Sequence, residues 1–288
     1  MLLKICKFII INCFAIFCCF STHHLFAQIR FYSAAFSSHQ LYGDYFEETS
    51  FSNTSDGRSW REATRSKLGV GSGGKIGLEI SFNKNFYIGT SFGYFHNSPT
   101  VNTKTLEDFK RTSTFLYHRY PLEIYLGMQK EISVITIGYC IGTFMHFNAR
   151  IVNKITISDP EFNYLSVWRR KDVDPFNIGI SSKIWLMHRL SKKYPFSLRY
   201  SFGISAHEYS ANYGNVISLH LNEQDVTNSL NRSSREFVYK EIYINKTDPD
   251  QRDPNKPSIQ YKSFKTVADF NLSIEVLYQF GSTYKLTK

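Results

Sequence analysis

The sequence predicts an all-β fold: an eight-stranded antiparallel up-and-down transmembrane β-barrel with long loops on one rim. Three observations predict it. Apolar and polar residues alternate with period two in most segments, and the connections between these segments alternate between short and long. After residue 27, no segment reaches the about 18 continuous apolar residues of a membrane helix. Because only helices and closed barrels satisfy their backbone inside a bilayer, a membrane protein with this sequence has to be a barrel.

Residues 1–27 are predicted to be a cleavable signal peptide, which leaves 28–288 as the barrel domain. Lysines precede an apolar run from Phe8 to Phe20, and Ala27 offers a small residue at the cleavage point. The mature chain then carries Cys140 as its one cysteine. A single cysteine forms no intramolecular disulfide, and with no zinc-type spacing we expect no metal site and no cofactor.

The hairpin from Gly73 to His96 is the clearest strand pair. Ile76, Leu78 and Ile80 alternate with small or charged residues, and only Asn83 to Asn85 separate the first strand from the second. One face of the hairpin is apolar and aromatic, while the other carries glycine, serine and charge. A soluble sandwich would bury the first face, whereas a membrane barrel turns it to lipid and encloses the second.

Six further segments follow this pattern, the first of them weakly. They lie at about Ile29 to Phe36, Thr114 to Met128, Ile132 to Phe147, Phe176 to Leu190, Phe196 to Tyr209 and Thr266 to Phe280.

The lengths of the connections decide between a soluble sandwich and a membrane barrel. Short turns are predicted at Asn83 to Asn85, Gln129 to Glu131 and Ser191 to Pro195, and long loops at about 37–72, 97–113, 148–175 and 210–265. Consecutive connections of an up-and-down barrel fall on opposite rims, so strict alternation places every long loop on one rim. Outer-membrane barrels have this arrangement, with short periplasmic turns and longer outside loops.

One region allows two interpretations. Within the last long loop, Val216 to Leu221 and Glu236 to Ile244 have strand-like patterns. They form either a hairpin standing above the membrane or two additional spanning strands, which would give ten.

Charged residues on the enclosed face predict a network of ion pairs in the barrel interior, because an uncompensated buried ion costs several kcal/mol. Eight strands enclose a space that side chains can fill, so we expect a plugged lumen and no water channel. The expected members of the network are Lys75, Glu79, Glu123, Lys183, Arg199, Asp269 and Glu275.

Aromatic residues near the strand ends predict two girdles at the membrane interfaces. The expected members are Phe82, Phe86, Tyr94, Tyr120, Phe147, Phe176, Phe196, Tyr209, Tyr278 and Phe280.

The formal net charge is +10, and most charged residues fall between the predicted strands, which favours a solvated loop surface. The alternative is a binding surface, for which anionic lipid or polysaccharide is a better partner than nucleic acid, which an exported chain rarely meets. We expect a monomer without enzymatic activity. The alternative is an outer-rim hydrolase or acyltransferase acting on lipid or peptide, with a nucleophile, base and acid drawn from the polar residues near that rim. The candidates are His96, Ser98, His146, His207, Glu208 and Ser210.

The chain resembles the PorT-like group of small outer-membrane β-barrel proteins and is broadly similar to OmpA- and OmpX-type barrels. The resemblance rests on the signal peptide, the strand rhythm, Tyr120 to Met128 (YPLEIYLGM), Leu198 to Ile204 (LRYSFGI) and the final Tyr278 to Phe280. It implies a bacterial outer-membrane location and a structural, binding or secretion-accessory role in the cell envelope. Its implied partners are outer-membrane lipids and, through the long loops, envelope secretion-machine proteins.

Overall fold

The computed structural model describes residues 28–42, 45–52, 59–66, 69–97, 100–106, 109–159, 164–190, 195–240, 253–261 and 265–280. The predicted signal peptide lies outside the described residues. The strands are β1 (Gln28–Tyr42), β2 (Tyr45–Ser52), β3 (Ser59–Ser66), β4 (Val70–Ser81), β5 (Phe86–Asn97), β6 (Thr100–Leu106), β7 (Phe109–Ile132), β8 (Ile135–Asp159), β9 (Tyr164–Arg189), β10 (Phe196–Tyr209), β11 (Tyr213–Leu221), β12 (Gln224–Asp225), β13 (Glu236–Lys240), β14 (Ser258–Tyr261) and β15 (Lys265–Phe280). A 3₁₀ turn, Thr227–Ser229, and a one-turn helix, α1 (Arg232–Arg235), lie between β12 and β13.

Eight of these strands close into a ring. In order, β1, β4, β5, β7, β8, β9, β10 and β15 each pair antiparallel with the next, and β15 pairs with β1 to complete the cylinder. All eight predicted strands belong to this ring, so the predicted fold class is confirmed. The ten-stranded alternative is wrong, because β11 and β13 pair outside the ring.

The two faces of the ring differ as the period-two pattern predicts. Ile76, Ile137 and Leu272 are 54%, 42% and 43% exposed on the exterior, whereas Glu79 is fully buried in the interior. Exposed Ile, Leu, Val and Phe side chains continue around the cylinder, a surface that matches lipid and not water. The barrel is therefore transmembrane. Among the described residues no helix is long and apolar enough to span a membrane.

The turn between β7 and β8 lies later in the sequence than predicted. Gln129 and Glu131 are paired with Gly138 and Thr136, so the ladder continues to Ile132, which pairs with Ile135. Ser133 has a φ of 59° within the two-residue turn that follows. The predicted turn at Gln129 to Glu131 is wrong, because these polar residues belong to strand ends that extend past the apolar band.

The long connections contain much more strand than expected. β7, β8 and β9 have 24, 25 and 26 residues, although about 9–11 residues suffice to cross a bilayer. Their extensions beyond the barrel pair with one another, β6 joins the extension of β7, and β11 joins β9 beyond the point where β10 ends. β13 pairs with β11, and β14 lies parallel to β13. We call this structure the rim sheet; it comprises the extensions of β7, β8 and β9 together with β6, β11, β13 and β14.

Candidate functional site

The lumen near the short-turn rim is filled by aromatic side chains. Trp185 Nε1 donates a hydrogen bond to the Tyr87 hydroxyl at 2.7 Å, and the Tyr125 hydroxyl donates to Glu79 Oε1 at 2.9 Å. The Tyr125 hydroxyl also lies 3.0 Å from that of Tyr32. Tyr32, Tyr87, Tyr125 and Trp185 are all buried, and they form a floor across the cylinder.

Glycines on the inner face make room for these rings. A Cβ atom placed on Gly127 would lie 2.1 Å from Cζ of Tyr87, and one on Gly138 would lie 2.1 Å from Cζ2 of Trp185. Real Cβ atoms never approach so closely, so each ring depends on the absence of a side chain on the neighbouring strand.

Arg199 is the centre of the charged network beside this floor. Its Nε donates to Glu275 Oε2 at 2.6 Å, and its Nη1 donates to Glu79 Oε1 at 2.6 Å. Arg30 approaches the second oxygen of Glu79 at 3.5 Å, and Lys75 Nζ lies 3.5 Å from Glu275 Oε1. Both carboxylates therefore receive two cations each, and all the partners are buried or nearly so.

Two further groups lie higher in the lumen. Glu123 pairs with Lys183 and also accepts a hydrogen bond from Ser181 Oγ at 2.6 Å. Asp269 accepts from Arg119 Nη2 at 2.8 Å. All seven residues predicted for the network thus lie inside the barrel, but Asp269 takes its ion pair from a residue outside that set.

Sequence reasoning missed Arg30 and Arg119. Arg30 lies between Ile29 and Phe31, both of which are exposed, so alternation within the weak first strand carried a usable signal. Arg119 lies four residues before Glu123, hence on the same face of β7. The predicted strand from Thr114 to Met128 contains Arg119, so extending its inward face back beyond Pro121 identifies this residue.

Above these pairs, a second aromatic layer crosses the lumen. Its buried members are Phe95, Phe115, Tyr117 and Tyr209, and the Tyr209 hydroxyl donates to the carbonyl of Asp172 at 3.2 Å. Tyr209 is 4% exposed, so its assignment to the outer girdle is wrong. It is ten residues after Arg199 on β10 and therefore faces the same, inner side.

The other predicted girdle residues lie on the outside. Phe86, Tyr94, Phe147, Phe176, Phe196 and Phe280 are exposed, and Phe82, Tyr120 and Tyr278 are half-buried. Phe147 and Phe176 are neighbours at one rim, with ring centroids 5.8 Å apart, while Phe196 and Tyr278 are neighbours at the other, 5.2 Å apart.

A cavity of about 80 Å³ separates the two aromatic layers. Its lining combines the charged side chains of Lys75, Arg119, Glu123 and Lys183 with the rings of Phe36 and Phe144. It is large enough for a few water molecules and too small for an organic solute.

Among the described residues, the candidate catalytic side chains are not brought together as a nucleophile, base and acid. His146 and His207 are buried in the lumen with ring centroids 4.7 Å apart, and Arg119 Nη1 lies 3.4 Å from each ring. Glu208 points to the exterior, away from His207. His96 is on the outer face, stacked with Tyr94, and Ser98 lies outside the described residues.

Ser210, the remaining candidate, is buried at the end of β10. Its backbone N–H donates to Asp174 Oδ2 at 2.9 Å, so it anchors the start of the connection to β11.

On the rim sheet, contacts between side chains fix the inner face. Arg170 Nε donates to Asp172 Oδ1 at 3.0 Å, and the Tyr239 hydroxyl donates to the same oxygen at 2.7 Å. Arg170 also stacks over Phe237 at 4.2 Å. These contacts hold β13 against β9 across β11. In the turn after β12, hydrogen bonds from the Thr227 hydroxyl and amide lower the pKa of Asp225.

No protein-family model matches the sequence, and no curated protein matches it. Solved structures similar to this chain include OprG from Pseudomonas aeruginosa, described as an outer membrane protein (8% identity, TM-score 0.38, covering 90% of this chain and 98% of OprG). Two others are Neisserial surface protein A (9%, 0.34, 88% and 97%) and the attachment invasion locus protein of Yersinia pestis, solved with the heparin analogue sucrose octasulfate (9%, 0.32, 88% and 99%).

Proposed function

We propose that the protein is a small outer-membrane barrel of the bacterial cell envelope with a plugged lumen, and that its rim sheet is its binding surface. The observation that carries the proposal is the division of the cylinder into an apolar exterior and an ionic, aromatic interior. Such a division suits a lipid bilayer outside, and it supports a filled interior.

Insertion is tested by folding the mature chain into phospholipid vesicles. A folded barrel resists detergent and migrates differently on a gel before and after boiling, so we expect a heat-dependent band shift and protection of the barrel strands from added protease. A chain that stays soluble and monodisperse without lipid or detergent would contradict the proposal.

Closure of the lumen is tested by conductance in planar bilayers. We expect no stable ion current through the wild type. The double variant Tyr87→Ala, Trp185→Ala removes most of the aromatic floor and should admit a small current. Phe92→Ala, Phe202→Ala removes two rings from the lipid-facing exterior and serves as the matched control. Steady current through the wild type would refute a plugged lumen.

With a plugged lumen, the rim sheet is the part of the protein that is left to meet other molecules. The long strand extensions all leave from one rim, which supports an outward-facing platform. Binding of anionic lipid or polysaccharide fits the basic character of the chain, and a secretion-accessory role is the second form of this proposal. Co-purification after mild detergent extraction distinguishes the two, because secretion-machine subunits would be recovered only in the second case.

A further inference from the structure

Four basic side chains share the outer face of the rim sheet. They are Arg150 and Lys154 on β8 and Arg169 and Lys171 on β9, and we call them the cationic strip. Lys154 and Arg169 are exposed, and the other two are partly exposed. Their sequence neighbours Ile151, Asn153 and Asp172 are buried on the opposite face, which fixes the outward direction of the strip.

Among the described residues, the strands that carry and flank the strip, β7, β8, β9 and β11, place no acid on its face. Lys154 lies directly opposite Arg169 in the β8–β9 ladder, and Lys171 lies opposite Val152. On β7, the residues beside the strip are Thr114, Leu116 and His118, again without an acid. No ion pair is formed by any of the four within the part of the chain that the structure describes.

Like charges directly opposite each other in a sheet are destabilising. The rim sheet could have avoided this cost with an acidic residue on any neighbouring strand. Asp159, Asp172 and Asp174 are buried, and the acids on the strip's own face, Asp225 on β12 and Glu236 on β13, lie two strands away from β9. A bound anion would remove the repulsion that the fold leaves in place.

The strip stands directly above the lipid-facing surface of the same strands. Phe147 and Phe176 mark the edge of that surface, and Arg150 follows Phe147 after an irregular step at Asn148, whose φ is 53°. With a rise of about 3.3 Å per residue and a tilt of about 40°, Arg150 lies roughly 5 Å above the aromatic edge and Lys154 roughly 15 Å above it.

This height decides between classes of lipid. The headgroup layer of a phospholipid bilayer is roughly 5–8 Å thick on each side, so phospholipid phosphates reach only the lower end of the strip. A ligand that contacts all four cations needs phosphates distributed over a taller headgroup while remaining anchored beside the barrel. A glycolipid with phosphorylated sugars has both properties.

We propose that the cationic strip binds the sugar phosphates of a phosphorylated glycolipid in the outer leaflet. Basic residues attract phosphate groups at a membrane surface through charge that salt screens. The inference rests on the proposed membrane insertion and adds the ligand class that the rim sheet takes.

The test uses the full mature chain in zwitterionic phospholipid vesicles containing lipopolysaccharide, the same glycolipid after enzymatic dephosphorylation, or an anionic phospholipid. The strip variant is Arg150→Gln, Lys154→Gln, Arg169→Gln, Lys171→Gln. The control neutralises four basic residues outside the rim sheet, Lys84→Gln, Arg232→Gln, Arg235→Gln and Lys256→Gln, and changes the net charge equally.

We expect the wild type to bind the phosphorylated glycolipid at least tenfold more tightly than either other lipid. The strip variant should lose at least tenfold in affinity, and the control less than twofold. Equal binding by wild type and strip variant, equal loss in the control, or equal binding of the dephosphorylated glycolipid would each overturn the proposal. Soluble polyphosphate that binds as tightly as the glycolipid would overturn the assignment to a lipid.

Band shifts in zwitterionic vesicles without glycolipid are measured first. Failure of the wild type to insert there counts against the proposed function, whereas insertion without phosphate-dependent binding counts against the strip alone. If the fourfold variant does not fold, the pair Lys154→Gln, Lys171→Gln and the salt dependence of wild-type binding take its place. Affinity that is unchanged between low and high salt would then refute the proposal.

Discussion

Charged side chains form ion pairs in the lumen, whereas on the outer face of the rim sheet two cations lie opposite each other. In the lumen, Glu79, Glu123, Asp269 and Glu275 each receive at least one cation at ion-pair distance. On the rim sheet, Lys154 and Arg169 face each other. A narrow, largely filled cylinder penalises an unpaired charge by several kcal/mol, while water and salt screen an exposed one. Pairing in the lumen is therefore a condition of folding, and lack of pairing on the rim sheet is compatible with a bound anion.

The largest expected effect follows from removing the centre of the lumen network. Arg199→Leu leaves Glu275 and Glu79 with only Lys75 and Arg30 at 3.5 Å, so the free energy of unfolding should fall by about 3–5 kcal/mol. Urea unfolding in detergent micelles, followed by gel shift, measures this change.

Two companion variants sharpen the result. Adding Glu275→Gln to Arg199→Leu should recover part of the loss, because one fewer carboxylate is then left without its main cation. Arg232→Leu, which removes an exposed partner of Glu236, should change stability by less than about 0.5 kcal/mol. Equal stability of Arg199→Leu and wild type would show that the lumen tolerates unpaired charge.

The free energy of unfolding should be nearly as sensitive to an added methyl group in the aromatic floor as to the loss of Arg199. Gly138→Ala places a Cβ atom 2.1 Å from Trp185 in a packed lumen, and we expect a loss of about 1–3 kcal/mol in the same unfolding experiment. Gly74→Ala is the matched control, since its Cβ atom would have its nearest described neighbour, the Ala34 carbonyl, at 3.6 Å. Similar losses for both variants would mean that strand glycines matter here for some reason other than ring packing.

The barrel could be predicted from the sequence because all eight of its strands follow one physical rule. A strand that separates lipid from a filled interior must alternate, and Ile76, Glu79 and Arg199 each follow that alternation. Tyr209 was misassigned although the same rule places it inward, because nearness to a strand end was weighed above parity.

Of the rim sheet, only β11 and β13 were predicted from the sequence, as the hairpin alternative for Val216 to Leu221 and Glu236 to Ile244. Beyond the membrane both faces of a strand meet polar surroundings, so segments such as Lys110 to Thr114 (KRTST) carry no apolar alternation and read as loop. The irregular step at Asn148 also shifts the parity, since Phe147 and Arg150 both point outward. Extrapolating the barrel pattern along β8 would thus place the cationic strip on the wrong face.

A smaller, local effect is expected within the rim sheet. Tyr239→Phe removes the hydrogen bond to Asp172 Oδ1 and should weaken the docking of β13 by about 1 kcal/mol, while barrel unfolding stays the same. Limited proteolysis of the folded protein in vesicles should then cut faster between residues 213 and 261. A parallel loss in barrel stability would show that the two regions fold as one unit.

The smallest effect has the opposite sign to that of Arg199→Leu and tests the comparison most directly. Arg169→Thr removes one member of the like-charged pair with Lys154 and introduces a residue that favours strands. Without glycolipid, the variant should be as stable as wild type or more stable by up to about 0.5 kcal/mol, most clearly at low salt, where repulsion is least screened. Urea unfolding at two salt concentrations measures the difference, with Arg232→Thr as the control for removal of an exposed cation. A loss of more than about 1 kcal/mol would mean that Arg169 holds the rim sheet together through contacts of its own, and the cationic strip would then have to be explained by structure and not by a ligand.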